Sequence, residues 1–173
     1  MKRIQKLLVV AVVFAAITIV QTQAEVRHQL GAGVHYWVAL DDIDLHDVDE
    51  DGVCYYLSYQ ICPTGLLKLE FDVEMLPDGY AGATEDVYAP QGYVILGSAI
   101  YVGLGVGTYY SDGDFASEPF YALRAGLDLQ VLPYIHLDIN ANYRFEDWND
   151  ISDVDEDISS DTVTLGGAIR LQF

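Results

Sequence analysis

The strongest constraint on the fold is an alternation of apolar and polar residues, which recurs in eight segments between residues 29 and 173. In the clearest segment, residues 67–75, every second side chain is charged and those between are apolar. Because successive side chains of a strand point to opposite faces, a period of two indicates strands with one apolar and one polar face. No stretch beyond residue 24 has a helical period of 3.6, so the sequence predicts an all-β protein.

The connections between the eight segments alternate in length. Long, acidic connections follow the odd-numbered segments, at residues 41–52, 77–86, 111–118 and 146–161. Short ones follow the second, fourth and sixth segments, at residues 63–65, 97–98 and 132–134. This rhythm is typical of an eight-stranded antiparallel up-and-down barrel, with long loops at one end and short turns at the other.

In the fourth segment Pro90 removes a hydrogen-bond donor, so we expect that strand to begin after it.

Residues 1–24 have the pattern of a cleavable signal peptide. Lys2, Arg3 and Lys6 precede an apolar run at residues 7–20, and Ala24 ends a short polar stretch. The alternative is an anchor helix, but a run of about 14 residues is shorter than the ~20 that span a bilayer. We therefore predict a signal peptide at 1–24 and one barrel domain at 25–173.

The charge of the mature chain excludes one class of partner. Residues 25–173 contain five lysines and arginines against 27 acidic residues, a net charge of −22. Such a chain repels the phosphates of nucleic acid. Half of the chain is nevertheless apolar, so the charges must be separated in space from the apolar faces.

The distribution of these faces favours a membrane barrel over a soluble one. The apolar faces of all segments except the ambiguous fourth carry no charge. A membrane barrel needs such an outward face and tolerates a polar lumen, and its closed sheet pairs every backbone group. Aromatic residues near the segment ends are expected to form interfacial girdles. These are Tyr36, Trp37, Tyr55, Tyr93, Tyr110, Tyr121, Tyr134, Tyr143, Phe145 and Trp148.

The last segment carries a family resemblance. Ile169, Leu171 and Phe173 share one face of it, and this pattern resembles the terminal signature strand that the barrel assembly machinery recognises in outer-membrane barrels. The plan of the mature chain resembles the small eight-stranded barrels of the OmpX, OmpW and OmpA-barrel type. The resemblance implies a bacterial outer-membrane location, contact with lipid and lipopolysaccharide, and both mature termini in the periplasm.

Charged residues on the polar faces form the first candidate site. An eight-stranded barrel is only wide enough for side chains to fill it, and buried charges must pair. We therefore predict a salt-bridged, closed lumen; the alternative is a narrow gated conduit. The predicted lumen charges are Lys68, Glu70, Asp72, Glu74, Arg124, Asp128, Asp138, Arg144 and Arg170.

The first acidic loop is a weak candidate for calcium. Asp47, Asp49 and Asp51 match the opening of an EF-hand loop, whose oxygen ligands suit hard cations. Ser58 stands where that loop needs a glutamate, so we reject an EF-hand and keep only loose divalent-cation binding, which could couple the loops to lipopolysaccharide. The alternative is a solvated charge run.

No cofactor site and no active site is apparent in the sequence. Lipid A deacylase barrels use a His-x-Ser pair, but the comparable window here is His136, Leu137 and Asp138, with aspartate in place of the nucleophile. Cys54 and Cys62 lie on one predicted strand roughly 26 Å apart, too far for a disulfide, so two free thiols are expected.

The prediction for the whole chain is a non-enzymatic outer-membrane barrel with a structural or surface-interaction role. The alternative is a narrow channel for small or hydrophobic solutes.

Overall fold

The computed structural model describes residues 26–39, 51–77, 80, 86–111, 113–145 and 162–173. The predicted signal peptide and the fourth predicted loop, residues 146–161, lie outside the described residues, as does most of the first loop. In the part of the chain that is described, no helix is long and apolar enough to cross a membrane.

Ten strands occupy most of the described residues. They are β1 (Arg27–Ala39), β2 (Asp51–Cys62), β3 (Leu67–Leu76), β4 (Val87–Gly97), β5 (Ile100–Gly107), β6 (Tyr110–Ser111), β7 (Asp114–Phe115), β8 (Phe120–Leu132), β9 (Ile135–Phe145) and β10 (Thr162–Gln172). The eight long strands pair antiparallel with their neighbours in sequence, and β10 pairs with β1. The predicted eight-stranded up-and-down barrel is confirmed.

Pairing between β1 and β10 closes the barrel. Its register runs from Gln29 opposite Gln172 to Ala39 opposite Thr162. Two more backbone hydrogen bonds extend it, from His28 N to Phe173 O (3.1 Å) and from Phe173 N to His28 O (2.9 Å). Every long strand therefore has two partners, and none of them presents an unpaired edge.

The two faces of the wall are sharply different in polarity. On β2, Tyr55 and Leu57 point outward with exposed fractions of 59% and 64%, whereas Tyr56 and Ser58 are buried in the interior. The same alternation holds on β3, β5 and β9. The outside is thus apolar and the inside polar, which is the reverse of a water-soluble protein and the arrangement of a membrane barrel.

We name the two ends of the barrel by the residues found there. The near end carries Arg27, Cys62 and Gln172, together with the short turns at residues 63–66, 98–99 and 133–134. The far end carries Trp37, Leu76 and Thr162, and the longer connections leave from it.

The fourth predicted segment, near residues 87–96, is a strand, but the expectation that it begins after Pro90 was wrong. β4 begins at Val87 and continues through Pro90, which lies opposite Val73 of β3. The Pro90 carbonyl accepts a hydrogen bond from Thr108 N at 3.1 Å. In a strand the N and C=O of one residue point to the same side, so the missing donor faces the end of β5 and no hydrogen bond to β3 is lost.

The fifth strand, by contrast, is shorter than expected. β5 ends at Gly107 instead of Tyr110, and the following connection contains the β6 and β7 hairpin. Tyr110 of β6 pairs with Tyr88, so this hairpin continues the sheet from β4 beyond the end of β5.

Several aromatic residues assigned to the interfacial girdles lie elsewhere. Tyr36, Tyr55 and Tyr134 are exposed on the outside, in accordance with the prediction. Trp37 and Tyr93 are instead buried inside the barrel, because strand parity turns them inward. Phe145 is also buried; its ring stacks on Tyr121 and Tyr143, and Trp148 lies outside the described residues.

Glycines on the inner face leave room for large interior rings. A Cβ added at Gly33 would lie 2.4 Å from the Gly167 carbonyl oxygen and 2.5 Å from Cε1 of Tyr56. A Cβ at Gly105 would lie 2.4 Å from the Tyr93 ring. The interior therefore has matched pairs of glycine and aromatic residues on neighbouring strands.

Gly33→Ala should lower the free energy of unfolding by about 1–3 kcal/mol, because the new methyl group overlaps a backbone oxygen that cannot move freely. Gly65→Ala is the control, since a Cβ there meets nothing within 4 Å. Urea unfolding of the refolded protein in lipid vesicles measures both. Equal stabilities of the two variants would contradict the packing argument.

Candidate functional site

The candidate site is the charged interior of the barrel. All nine charged residues singled out from the sequence are buried there, with exposed fractions of 8% or less. Each of the nine takes part in at least one ion pair. Alternation on β3, β8, β9 and β10 turns these side chains inward, because their sequence neighbours are the apolar residues of the outer face.

Strand β3 forms ion pairs with the opposite wall at three levels. Around the barrel, β9 lies four strands from β3 in either direction, and β8 and β10 flank it. At the near end, Lys68 pairs with Asp128 of β8. At mid-height, Glu70 pairs with Arg124 of β8 and Arg170 of β10. Towards the far end, Glu74 pairs with Arg144 of β9. Each of these pairs therefore crosses the bore of the barrel.

The middle level is the most densely connected. Glu70 Oε1 lies 2.5 Å from Arg124 Nη1 and 2.9 Å from Arg170 Nη2. Arg124 also contacts Asp72 at 2.9 Å, and Arg170 contacts Asp138 at 2.5 Å. Two guanidinium groups thus face three carboxylates, and each charge has an opposite charge beside it, as a low-dielectric interior requires.

Neutral side chains complete this middle level. The Arg124 guanidinium carbon lies 3.7 Å from the centroid of the Tyr93 ring, a cation–π contact. Tyr101 donates a hydrogen bond to Asp138 Oδ2 at 2.7 Å, and Gln60 donates one to Glu70 Oε2. These contacts add hydrogen bonds and a ring contact to the ion pairs of Arg124, Asp138 and Glu70.

At the near end, His136 joins the pair formed by Lys68 and Asp128. Its Nδ1 lies 2.7 Å from Asp128 Oδ1. Asp138, two residues further on, pairs instead with Arg170 at the middle level. The window of His136, Leu137 and Asp138 thus supplies a contact to Asp128 and an ion pair with Arg170 inside the lumen. Its histidine has no serine nucleophile beside it in the sequence.

Towards the far end, Glu74 gathers three different groups. Its Oε2 pairs with Arg144, and its Oε1 lies 2.6 Å from His35 Nδ1. Cys54 donates a hydrogen bond from Sγ to the same Oε1 at 2.9 Å. A nitrogen, a sulfur and an oxygen ligand atom are therefore close together, all within 4.8 Å of one another.

An apolar layer lies beside this group at the far end. Cys54 packs into a buried cluster with Trp37, Leu76, Tyr80 and Phe120, and the hydroxyl of Tyr80 lies 2.9 Å from that of Tyr109. The lumen thus changes along its axis from charged at the middle to aromatic at the far end.

The other predicted site residues lie outside the lumen. Ile169, Leu171 and Phe173 are exposed on the outer surface, on one face of the barrel wall. Asp51 is the first residue of β2, where it accepts a hydrogen bond from the Tyr36 hydroxyl. Asp47 and Asp49, the other two calcium candidates, lie outside the described residues. Cys54 and Cys62 are free thiols, both buried in the interior.

Sequence reasoning missed two parts of the interior. It did not assign the faces of β4, so Gln91, Tyr93 and Ile95 were not recognised as lumen residues. It also did not group His35 and Cys54 with Glu74, because this needs the register of β1, β2 and β3. Strand parity does place His35 and Cys54 on polar faces, and that was the available signal.

Comparison with known proteins identifies the fold. No family model matches the chain, and no curated protein matches it in sequence. The N-terminal β-barrel domain of Pseudomonas aeruginosa OprF superposes with a TM-score of 0.58 at 12% identity, covering 87% of this chain and 100% of that one. Neisserial surface protein A gives 0.53 at 15% identity, covering 86% and 97%.

A third solved structure shows the same likeness. Ail, the attachment invasion locus protein of Yersinia pestis, superposes with a TM-score of 0.50 at 13% identity, covering 87% of this chain and 100% of Ail. The closed barrel and these likenesses agree with the resemblance seen in the sequence. The chain therefore has the fold of the small eight-stranded outer-membrane β-barrels.

Proposed function

We propose that this chain is a non-enzymatic outer-membrane barrel whose lumen is closed by ion pairs, and that it has a structural or surface-interaction role. The observation that carries the proposal is the set of buried ion pairs from β3 to the opposite wall. They occupy the bore at three levels. An eight-stranded barrel has an interior that side chains can fill, so such pairs leave little room for a solute.

The outer surface supports the membrane location. Large apolar side chains are exposed around the wall, including Phe71, Ile100 and Ile169. A continuous apolar surface of this kind is rare on soluble monomers and is the lipid-facing band of a membrane barrel. The short turns at the near end favour placing that end, with both mature termini, in the periplasm.

On this orientation the acidic connections face the outside. The outer leaflet there is lipopolysaccharide. We propose that the loops meet its anionic groups through divalent cations, with Asp47, Asp49 and Asp51 as the candidate ligands in the first loop.

We also propose that Ile169, Leu171 and Phe173 are the contact for the assembly machinery. The outward exposure of Ile169 and Leu171 on β10, and of Phe173 directly after it, supports this role.

Arg170→Met should lower the free energy of unfolding by about 3–5 kcal/mol, because it leaves Asp138 buried without its cation and removes one of the two cations of Glu70. Arg27→Met is the matched control at an exposed position of β1, where the change should stay within about 0.5 kcal/mol. Urea titration in lipid vesicles measures both. Similar losses for the two variants would show that the interior pairs do not stabilise the barrel.

The refolded mature protein should show no discrete openings in a planar bilayer, because the ion pairs block the bore. Migration of the unheated protein as a compact species on a denaturing gel is the control for folding. The recording is repeated with millimolar Ca²⁺ to test the loops separately. Discrete openings of the folded wild-type protein would contradict the closed lumen and favour the alternative, a narrow channel for small or hydrophobic solutes.

A further inference from the structure

We propose that His35, Cys54 and Glu74 form a binding site for one zinc-like divalent ion inside the barrel. The imidazole nitrogen, thiol sulfur and carboxylate oxygen lie within 4.8 Å of one another, on the adjacent strands β1, β2 and β3. Histidine nitrogen, cysteine sulfur and carboxylate oxygen are the three ligand types of zinc in proteins. The inference does not depend on whether the lumen conducts.

The present distances are close to those that a bound ion requires. His35 Nδ1 lies 2.6 Å and Cys54 Sγ 2.9 Å from Glu74 Oε1. Around a tetrahedral zinc ion with bonds of about 2.0–2.3 Å, ligand atoms are separated by about 3.4 Å. Each of these two separations therefore needs to widen by less than about 1 Å to reach that value.

Outer contacts hold His35 and Glu74 in the orientation that a metal needs. His35 Nε2 lies 3.0 Å from Asn140 Oδ1, so its proton has an acceptor there and Nδ1 remains the nitrogen that faces the cluster. The Tyr56 ring stacks on the imidazole at 4.2 Å. Arg144 holds Glu74 Oε2, which leaves Oε1 directed at the cluster. Metal-ligating histidines characteristically donate their second N–H in this way.

The cluster also supplies negative charge to a divalent ion. Cys54 donates its Sγ proton towards Glu74 Oε1, so binding of the ion releases this proton to water and leaves a thiolate. The ion then lies beside two negative charges, the Cys54 thiolate and the Glu74 carboxylate.

The ligand set selects the class of ion. Calcium and magnesium require all-oxygen sites, whereas thiolate and imidazole ligands suit zinc and its neighbours in the first transition row. Three protein ligands leave a fourth tetrahedral position for water. All three residues are fully buried, so we expect the ion to be loaded while the barrel folds.

The test uses cobalt as a spectroscopic probe for zinc. The mature chain is refolded under reducing conditions with Co²⁺, excess metal is removed, and absorption is recorded. Wild-type protein should retain one cobalt per chain and show a near-ultraviolet thiolate-to-cobalt band that added Zn²⁺ abolishes. Acidic loops alone cannot produce this band because they offer no sulfur. A folded wild-type protein without the band would overturn the proposal.

The chain offers a matched control for the thiol. Cys62 is also a buried free thiol on the inner face of β2, eight residues from Cys54. Cys54→Ser should lose the band and Cys62→Ser should keep it; the opposite result would overturn the proposal. His35→Gln, which removes the imidazole beside Glu74, should lose the band as well. His136→Gln, which removes the imidazole beside Asp128, should keep it.

A second measurement does not depend on the folding of Cys54→Ser. In Cys62→Ser protein, Cys54 is the remaining thiol. X-ray absorption at the cobalt edge should then show one sulfur among nitrogen and oxygen ligands. A shell of oxygen and nitrogen alone would assign the metal to another part of the chain and overturn the proposal.

Discussion

The structure depends on how charge is held inside a barrel whose outside is apolar. An isolated buried charge costs several kcal/mol, so the lumen can contain lysine, arginine, aspartate and glutamate only if each has a partner. The pairs from β3 to β8, β9 and β10 meet this condition across the bore. The same contacts that make the interior charges tolerable also join opposite walls of the barrel.

One strand shows how the sequence satisfies two environments at once. On β3, Lys68, Glu70 and Glu74 face the opposite wall, while Phe71 and Val73 are exposed on the outside. A shift of the strand by one residue would exchange these two sets, placing charged side chains outside and apolar side chains inside. The ion pairs therefore act together with the outer face to specify the register.

Much of this architecture could be predicted from the sequence, because strand parity is a local property. The period of two places Glu70 and Arg124 on polar faces without knowledge of their partners. Which charges meet depends on the stagger between strands, which the pattern does not contain, and so the group of His35, Cys54 and Glu74 was not foreseen. Pro90 was misjudged for a related reason, since its cost depends on which neighbour its nitrogen faces.

The closure of β1 on β10 has a consequence for the order of folding. The pairs that cross the bore join residues far apart in the chain: 60 positions separate Lys68 from Asp128, 70 separate Glu74 from Arg144, and 100 separate Glu70 from Arg170. Contacts at such separations form slowly, because a long loop must first be closed. Until β8, β9 and β10 arrive in turn, the carboxylates of β3 lack these cations and must remain hydrated. Dehydration of the interior therefore waits for the strands that complete the sheet.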